Sequence, residues 1–196
     1  SVLQGTSPLA GRLGEKIVDE RVSIWDDPLI PYVPGSRPAD DEGVPSQRHA
    51  LIDLGVATTF LYDLQTACQA GTVSTGSGSR SLASLPSPSP GVLLVNAGDV
   101  TFADMVGDVK EGLIVEGLLG AGQGNVLSGD FNANVLLGYR IANGKIVGRV
   151  KDTMISGNVY HALSNLVAVG SEGRWLGGGL WTPALYCRGI SVAAKE

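Results

Sequence analysis

The feature that most restricts the fold is the stretch 129–151, GDFNANVLLGYRIANGKIVGRVK. Two long apolar runs flank Asn143-Gly144, the dipeptide best suited to a type I′ turn, so a long β-hairpin is expected here. Long hairpins belong to antiparallel sheets, and the rest of the sequence agrees. There are 28 glycines in 196 residues, roughly twice the average usage. They punctuate apolar stretches without a repeat, which reads as turns, bulges and close backbone approaches in a β-rich domain. Apolar residues make up 43% of the chain, enough for one sizeable core.

Shorter elements are legible around the hairpin. A β-like end is expected over Val22–Trp25, followed by a proline- and acid-rich loop, DDPLIPYVPGSRPADDEG. A second hairpin is expected around Asp53-Leu54-Gly55, with Gly55 left-handed. LYDLQTACQAG predicts a short helix with Leu61, Leu64, Ala67 and Cys68 on one face and Gly71 as its stop. The Ser/Gly/Pro-rich stretch 72–90 predicts a long loop of the kind that carries function or moves. GVLLVNAGD predicts a strand. TFADMVGDVKEG predicts a helix capped by Thr101, with Phe102, Met105, Val106 and Val109 buried. LIVEGLL predicts another strand, and GAGQGN a turn-rich link. SGNVYHALSNLVAVG predicts a helix with Ser156 as its cap and Val159, Leu163, Leu166 and Val167 along one side. A glycine-rich link, GRWLGGGLWTP, and one terminal strand, ALYCRGISVA, complete the chain. Hairpins interrupted by helices, without β-α-β alternation, give an α+β class: a mainly antiparallel, strongly twisted or barrel-like sheet with a few helices packed on it, in a single domain over 1–196.

Several chemistries are poorly supported. The net charge is −5 and basic residues form no stripe, so direct nucleic-acid binding is not expected. No apolar run approaches the ~20 residues of a membrane span. Cys68 and Cys187 stand far apart with no CxxC, which suits reduced thiols and a cytoplasmic location. GAGQGN lacks the spacing and the following helix of a dinucleotide loop, so a turn or bulge is favoured. Asp26-Asp27 and Asp40-Asp41-Glu42 suit backbone-capping turns better than a metal or acid/base pair. His49 and His161 are the only histidines and form no HExxH pair. Arg80, the only charge in its loop, can grip a carboxylate or keep the loop soluble.

Taken in order, the motifs resemble one family. DDEGVPSQRHALIDLGVATTFLYD, STGSGSR, SGDFNANVLLGYRIANGKIVGRVK and ISGNVYHALSNLVAVGSE are similar to successive segments of the TldD/PmbA, or "modulator of DNA gyrase", peptidases. The resemblance covers nearly the whole chain. It implies the family's C-terminal domain, with the upstream domain and its His-Glu-x-x-x-His helix expected to lie outside this chain. It also implies a zinc-binding Cys in the glycine-rich segment before the last strand. Here that segment, GSEGRWLGGGLWTP, has none, and the ligand role is not carried to Cys187.

The expectation is therefore the PmbA/TldE-like side. Such a subunit has no cofactor in this chain, pairs with a zinc-bearing TldD-like subunit or with itself as a homodimer, and takes part in proteolysis of unfolded or leader peptides. Chamber-facing or peptide-binding roles are expected for Ser74, Thr75, Gly76, Gly78 and Arg80 in loop 72–90. They are expected also for Gly122, Gly124, Asp130 and Phe131 around link 120–130. The alternative from another class is a stand-alone peptide-binding or structural module that forms homo-oligomers. An independent hydrolase using Cys187 or a loop serine is the weakest reading.

Overall fold

A computed structural model describes residues 2–123 and 125–194. In chain order the strands are β1 Ile24–Asp26, β2 His49–Asp53, β3 Val56–Ala57, β4 Gly78–Ser79, β5 Ser87–Pro88, β6 Leu93–Val95, β7 Glu111–Leu119, β8 Asp130–Ala142, β9 Lys145–Arg149, β10 Thr153–Asn158, β11 Leu166–Leu176, β12 Leu180–Cys187 and β13 Ser191–Ala194. Three helices interrupt them: α1 Leu64–Ala70, α2 Phe102–Asp108 and α3 Val159–Ser164. The class is α+β. The sheets are twisted and open, so the barrel form is not built. One sheet has the order β11-β12-β6-β1-β2-β3, another β13-β10-β8-β7 with β9 also on β8, and β4–β5 form a small ribbon. Among the described residues, the pairings of β1 with β2 and β6, of β7 with β8 and of β8 with β9 and β10 are antiparallel, while β12 on β6 and an isolated bridge between Val100 and Gly170 are parallel.

The chain divides into two compact units, 1–96 with 173–183 and 97–172 with 184–196. Unit 1 is loop-rich. Its buried apolar residues include Val18, Val22, Ala57, Ala67 and Val92. Helix α1 starts as its sequence dictates: Asp63 accepts from the Thr66 amide while the Thr66 hydroxyl reaches back to the Asp63 amide, a reciprocal cap, and Gly71 ends it left-handed. Only Ala67 of that helix is buried. Leu64 and Cys68 are exposed, so the expected apolar face narrows to one small residue. The β2–β3 turn is tighter than the three-residue connection expected from Asp53-Leu54-Gly55. Leu54 joins Gly55 at positive φ, making a two-residue connection, and the Leu54 amide is held by the Ser23 hydroxyl at 2.9 Å.

Unit 2 is built on β8, whose thirteen residues alternate so that Ala133, Val135 and Ile141 are buried. Asn143 and Gly144 both take positive φ, the type I′ conformation the sequence predicts, and join β8 to β9. Gly144 is required twice over, because a Cβ there would lie 2.8 Å from the Gly107 carbonyl oxygen. Helix α2 is capped by Thr101 as expected and buries Met105, with Val109 buried at its C-cap, but Val106 is half-buried and Phe102 is exposed.

Two expectations at the C-terminal end are corrected. The helix of SGNVYHALSNLVAVG is shorter: Ser156 lies in β10, Asn158 caps α3, and Leu166 and Val167 belong to β11. The segment from Leu166 has alternate β-branched residues and buries Leu166, Ala168, Val169 and Gly170, which strand pairing uses better than one more helical turn. The glycine-rich link is likewise no link. It is the β11–β12 hairpin, turning at Gly177 and Gly178.

Candidate functional site

Loop 72–90 is an ordered structure stitched to the body of unit 1. The Ser74 hydroxyl donates to the Tyr62 carbonyl at 3.1 Å and accepts from the Gly76 amide. Thr75 Oγ1 accepts from the Tyr62 amide at 2.8 Å and sits 2.9 Å from the Ser77 hydroxyl. The Thr75 carbonyl meets Nε2 of His49 at 2.9 Å, so this histidine serves as a main-chain partner. Gly76 has φ 68°, and a Cβ there would collide with the Pro45 carbonyl. Carboxylates hold the next residues: Asp40 Oδ2 accepts from the Gly78 amide and Asp41 Oδ2 from the Arg80 amide, each at 2.8 Å. Thr75, Gly76 and Gly78 are buried, Ser74 is half-buried and Arg80 is exposed.

The acidic pairs act as backbone caps, as their turn-like surroundings predict. Asp40 Oδ1 also accepts from the amides of Glu42 and Val44, and Glu42 accepts from Leu64. Asp26, only 1% exposed, accepts from the amides of Gly91 and Val92 at 2.8 and 3.0 Å. Burial pushes its carboxyl above the ordinary range, against those two hydrogen bonds and the nearby Arg37 and His49. Two polar atoms nearby in sequence, Arg37 Nε and Ser46 Oγ, are buried without a partner.

In unit 2, Gly122 is exposed in a single 3₁₀ turn, Ala121–Gln123, while Gly124 lies outside the described residues. Asp130 is exposed and accepts from the Ser128 hydroxyl at 2.7 Å and the Asn158 side-chain amide at 2.8 Å, which together lower its pKa. Phe131 packs onto the cluster of Ala133, Val135 and Ile155. Loop residues 74–80 thus belong to unit 1, and Gly122, Asp130 and Phe131 to unit 2.

A feature that sequence reading missed lies beside them. A hollow of about 370 Å³ is lined by Leu119, Gly120, Gln123, Asn132, Ala133, Asn134 and Met154. The usable signal was Asn-x-Asn at strand period, two poor strand formers in the middle of an otherwise apolar strand.

Among the described residues no three His, Cys, Asp or Glu side chains gather closely enough to hold a metal ion. The stretch 170–183 contains neither Cys nor His. Cys187, half-buried in β12, has its thiol pKa raised by burial, which disfavours the thiolate that ligation needs.

Residues 1–194 match the family described as the PmbA/TldA metallopeptidase C-terminal domain. The chain belongs to this family. Among relatives of this PmbA/TldD-type domain, a metalloprotease of Methanothermobacter thermautotrophicus is 36% identical over 88% of the chain and 38% of its own length. A metalloprotease TldD homologue of Haemophilus influenzae is 32% identical over 97% of the chain and 42% of its own length. Among solved structures, TldE of Thermococcus kodakarensis superposes with a TM-score of 0.90 at 31% identity, covering 98% of this chain and 44% of that one. A modulator-of-DNA-gyrase protein of Thermotoga maritima gives 0.87 at 33%, with the same coverage of both chains. The PmbA/TldD-type chain therefore spans about two fifths of the relatives it matches. None of its described helices is long and apolar enough to cross a membrane.

Proposed function

We propose that this chain is the C-terminal domain of a PmbA/TldE-like subunit without a zinc site of its own, working beside a zinc-bearing TldD-like subunit in proteolysis of unfolded or leader peptides. The observation that carries the reading is the donor set: the segment before the last strands, where the resemblance calls for a zinc-binding Cys, is a β-hairpin tip without Cys or His. The likeness to TldE agrees with this. Names among the relatives include both TldD and PmbA homologues, so identity alone does not choose the side. In this reading the chain contributes shape and hydrogen-bonding main chain, and its two free cysteines suit the reducing cytoplasm.

The test is co-expression of the full-length protein with a TldD-like protein from the same genome. Co-purification is expected, with zinc and peptide cleavage following the TldD-like subunit. Stoichiometric zinc, or peptide cleavage, in this protein purified alone would overturn the proposal. A second reading, a homo-oligomeric peptide-binding module, is favoured by the exposed apolar side chains Leu119, Val126, Leu127 and Leu136 of unit 2. A stable homodimer that ignores the TldD-like protein would select it.

A further inference from the structure

We propose that the outward face of β8 binds an extended, uncharged peptide through the paired side-chain amides of Asn132 and Asn134. The inference deepens the proteolytic reading and rests on it for the class of ligand. Three observations carry it. First, Asn132 and Asn134 stand two residues apart on the solvent face, with Ala133 and Val135 turned into the core. Their spacing along the strand is about 6.8 Å, the repeat at which equivalent peptide groups recur in any extended chain. A peptide lying along β8 therefore presents a matching peptide group to each carboxamide. A carboxamide, with its carbonyl and NH₂, answers both the N–H and the C=O of such a group.

Second, neither amide is used inside the protein. Among the described residues the side chains of Asn132 and Asn134 have no hydrogen-bond partner. Asparagine weakens a strand, yet two stand in the central strand of this sheet. Third, the surroundings suit a neutral backbone flanked by apolar side chains. Strand register places Leu119 and Met154 on either side of Asn134, and Ser156 beside Asn132. Leu119 is 61% exposed and Leu136, next outward along β8, is 63% exposed. No Lys, Arg, Asp or Glu lines the hollow, and the carboxylate next along the same face, Asp130, is already held by Ser128 and Asn158. The main chain of β8 is paired with β7 on one side and with β10 and β9 on the other. The peptide is thus held over the face of the sheet, by side-chain amides, rather than added as an edge strand.

The test is titration of the whole isotope-labelled chain with a blocked neutral peptide, acetyl-Thr-Val-Thr-Val-amide, followed by nuclear magnetic resonance. The side-chain NH₂ signals of Asn132 and Asn134 are expected to shift. The exposed double variant Asn132→Ala/Asn134→Ala is expected to lose at least tenfold in affinity with its melting midpoint unchanged. The inference is overturned if the peptide does not bind, if the double variant binds it equally well, or if shifts gather at β7 or β13 instead. It is also overturned if sizing shows the face covered by a second copy. Because the readout needs neither zinc nor a partner subunit, failure of co-purification with a TldD-like protein and failure of this site are separate results.

Discussion

The two units solve the same problem, satisfying buried main-chain groups, in opposite ways. Unit 2 does it with a ladder: β8 exchanges main-chain hydrogen bonds with β7, β9 and β10, and a demanding position is the Asn143-Gly144 turn. Over residues 1–96, unit 1 has strands of two to five residues and long loops between them. There, carboxylates and hydroxyls close what a ladder would otherwise close. Asp26 ties β1 to Gly91 and Val92, Asp40 ties its loop to Gly78, Asp41 reaches Arg80, and Thr75 clasps Tyr62. The contrast teaches that irregular backbone can be as determined as a sheet when each buried amide has a named acceptor. It also locates the fragility. A ladder loses one bond in many when a side chain changes, whereas a stitch loses all it holds.

The sharpest way to break this comparison is Asp26→Ala. Two amides in the core of unit 1 lose their acceptor, and a destabilisation of roughly 2–5 kcal/mol is expected, read by chemical denaturation. Asp26→Asn separates the acceptor from the charge. Both hydrogen bonds go to a single oxygen, Oδ1, which asparagine retains. Because burial raises the folded pKa of Asp26, the folded state keeps a proton that the unfolded chain has released between the ordinary and the raised value. The stabilisation from this group is complete below the ordinary carboxylate range and is lost as pH rises through the raised value. Asp26→Asn is expected to remove that decline, so its midpoint gains on the parent as pH rises. A parallel dependence in both proteins contradicts the assignment.

Next in size is the Asn143-Gly144 turn of the ladder. Asn143→Val with Gly144→Val places two β-branched residues at positive φ, and a loss of roughly 2–4 kcal/mol is expected in the denaturation midpoint. Asp40→Asn should cost roughly 1–3 kcal/mol, unlike its counterpart at 26, because Asp40 uses both oxygens and an amide NH₂ cannot accept from Gly78. Hydrogen exchange should quicken around Gly78 first. Removing the helix cap with Asp63→Ala is expected to cost about 1 kcal/mol. Leu136→Ser, on the exposed face of the ladder, is expected to stay within about 0.5 kcal/mol in a thermal melt.

The same division explains what was readable in advance. The β8–β9 turn, the cap Thr101, the stop at Gly71 and the strand at Leu93 were legible because each depends on residues within a few positions of one another. The C-terminal misreadings have a local cause too. Leu166 and Val167 fit a helical stripe and a buried strand equally well, and a short apolar run leaves the two periods indistinguishable. GRWLGGGL looks like a linker because its glycines mark the turn, whereas its strand character comes from its partner across the hairpin. Of the candidate site, loop 72–90 was visible as a loop, but the order within it comes from Asp40, Asp41 and Tyr62, far off in sequence. Asn132 and Asn134 were in plain view and were read as part of a hairpin.

The sequence by itself determined the family, the α+β class, the central hairpin and the poverty of reactive side chains, because composition, turn chemistry and short-range capping are written residue by residue. Tertiary structure alone decided that Asp26 and Asp40 would be buried and which distant amides they would accept from, and that two asparagines would stand unpartnered over a hollow. The reason is distance along the chain: a carboxylate at 26 finds the amides of 91 and 92 only after the chain has folded back, and no local pattern encodes that meeting.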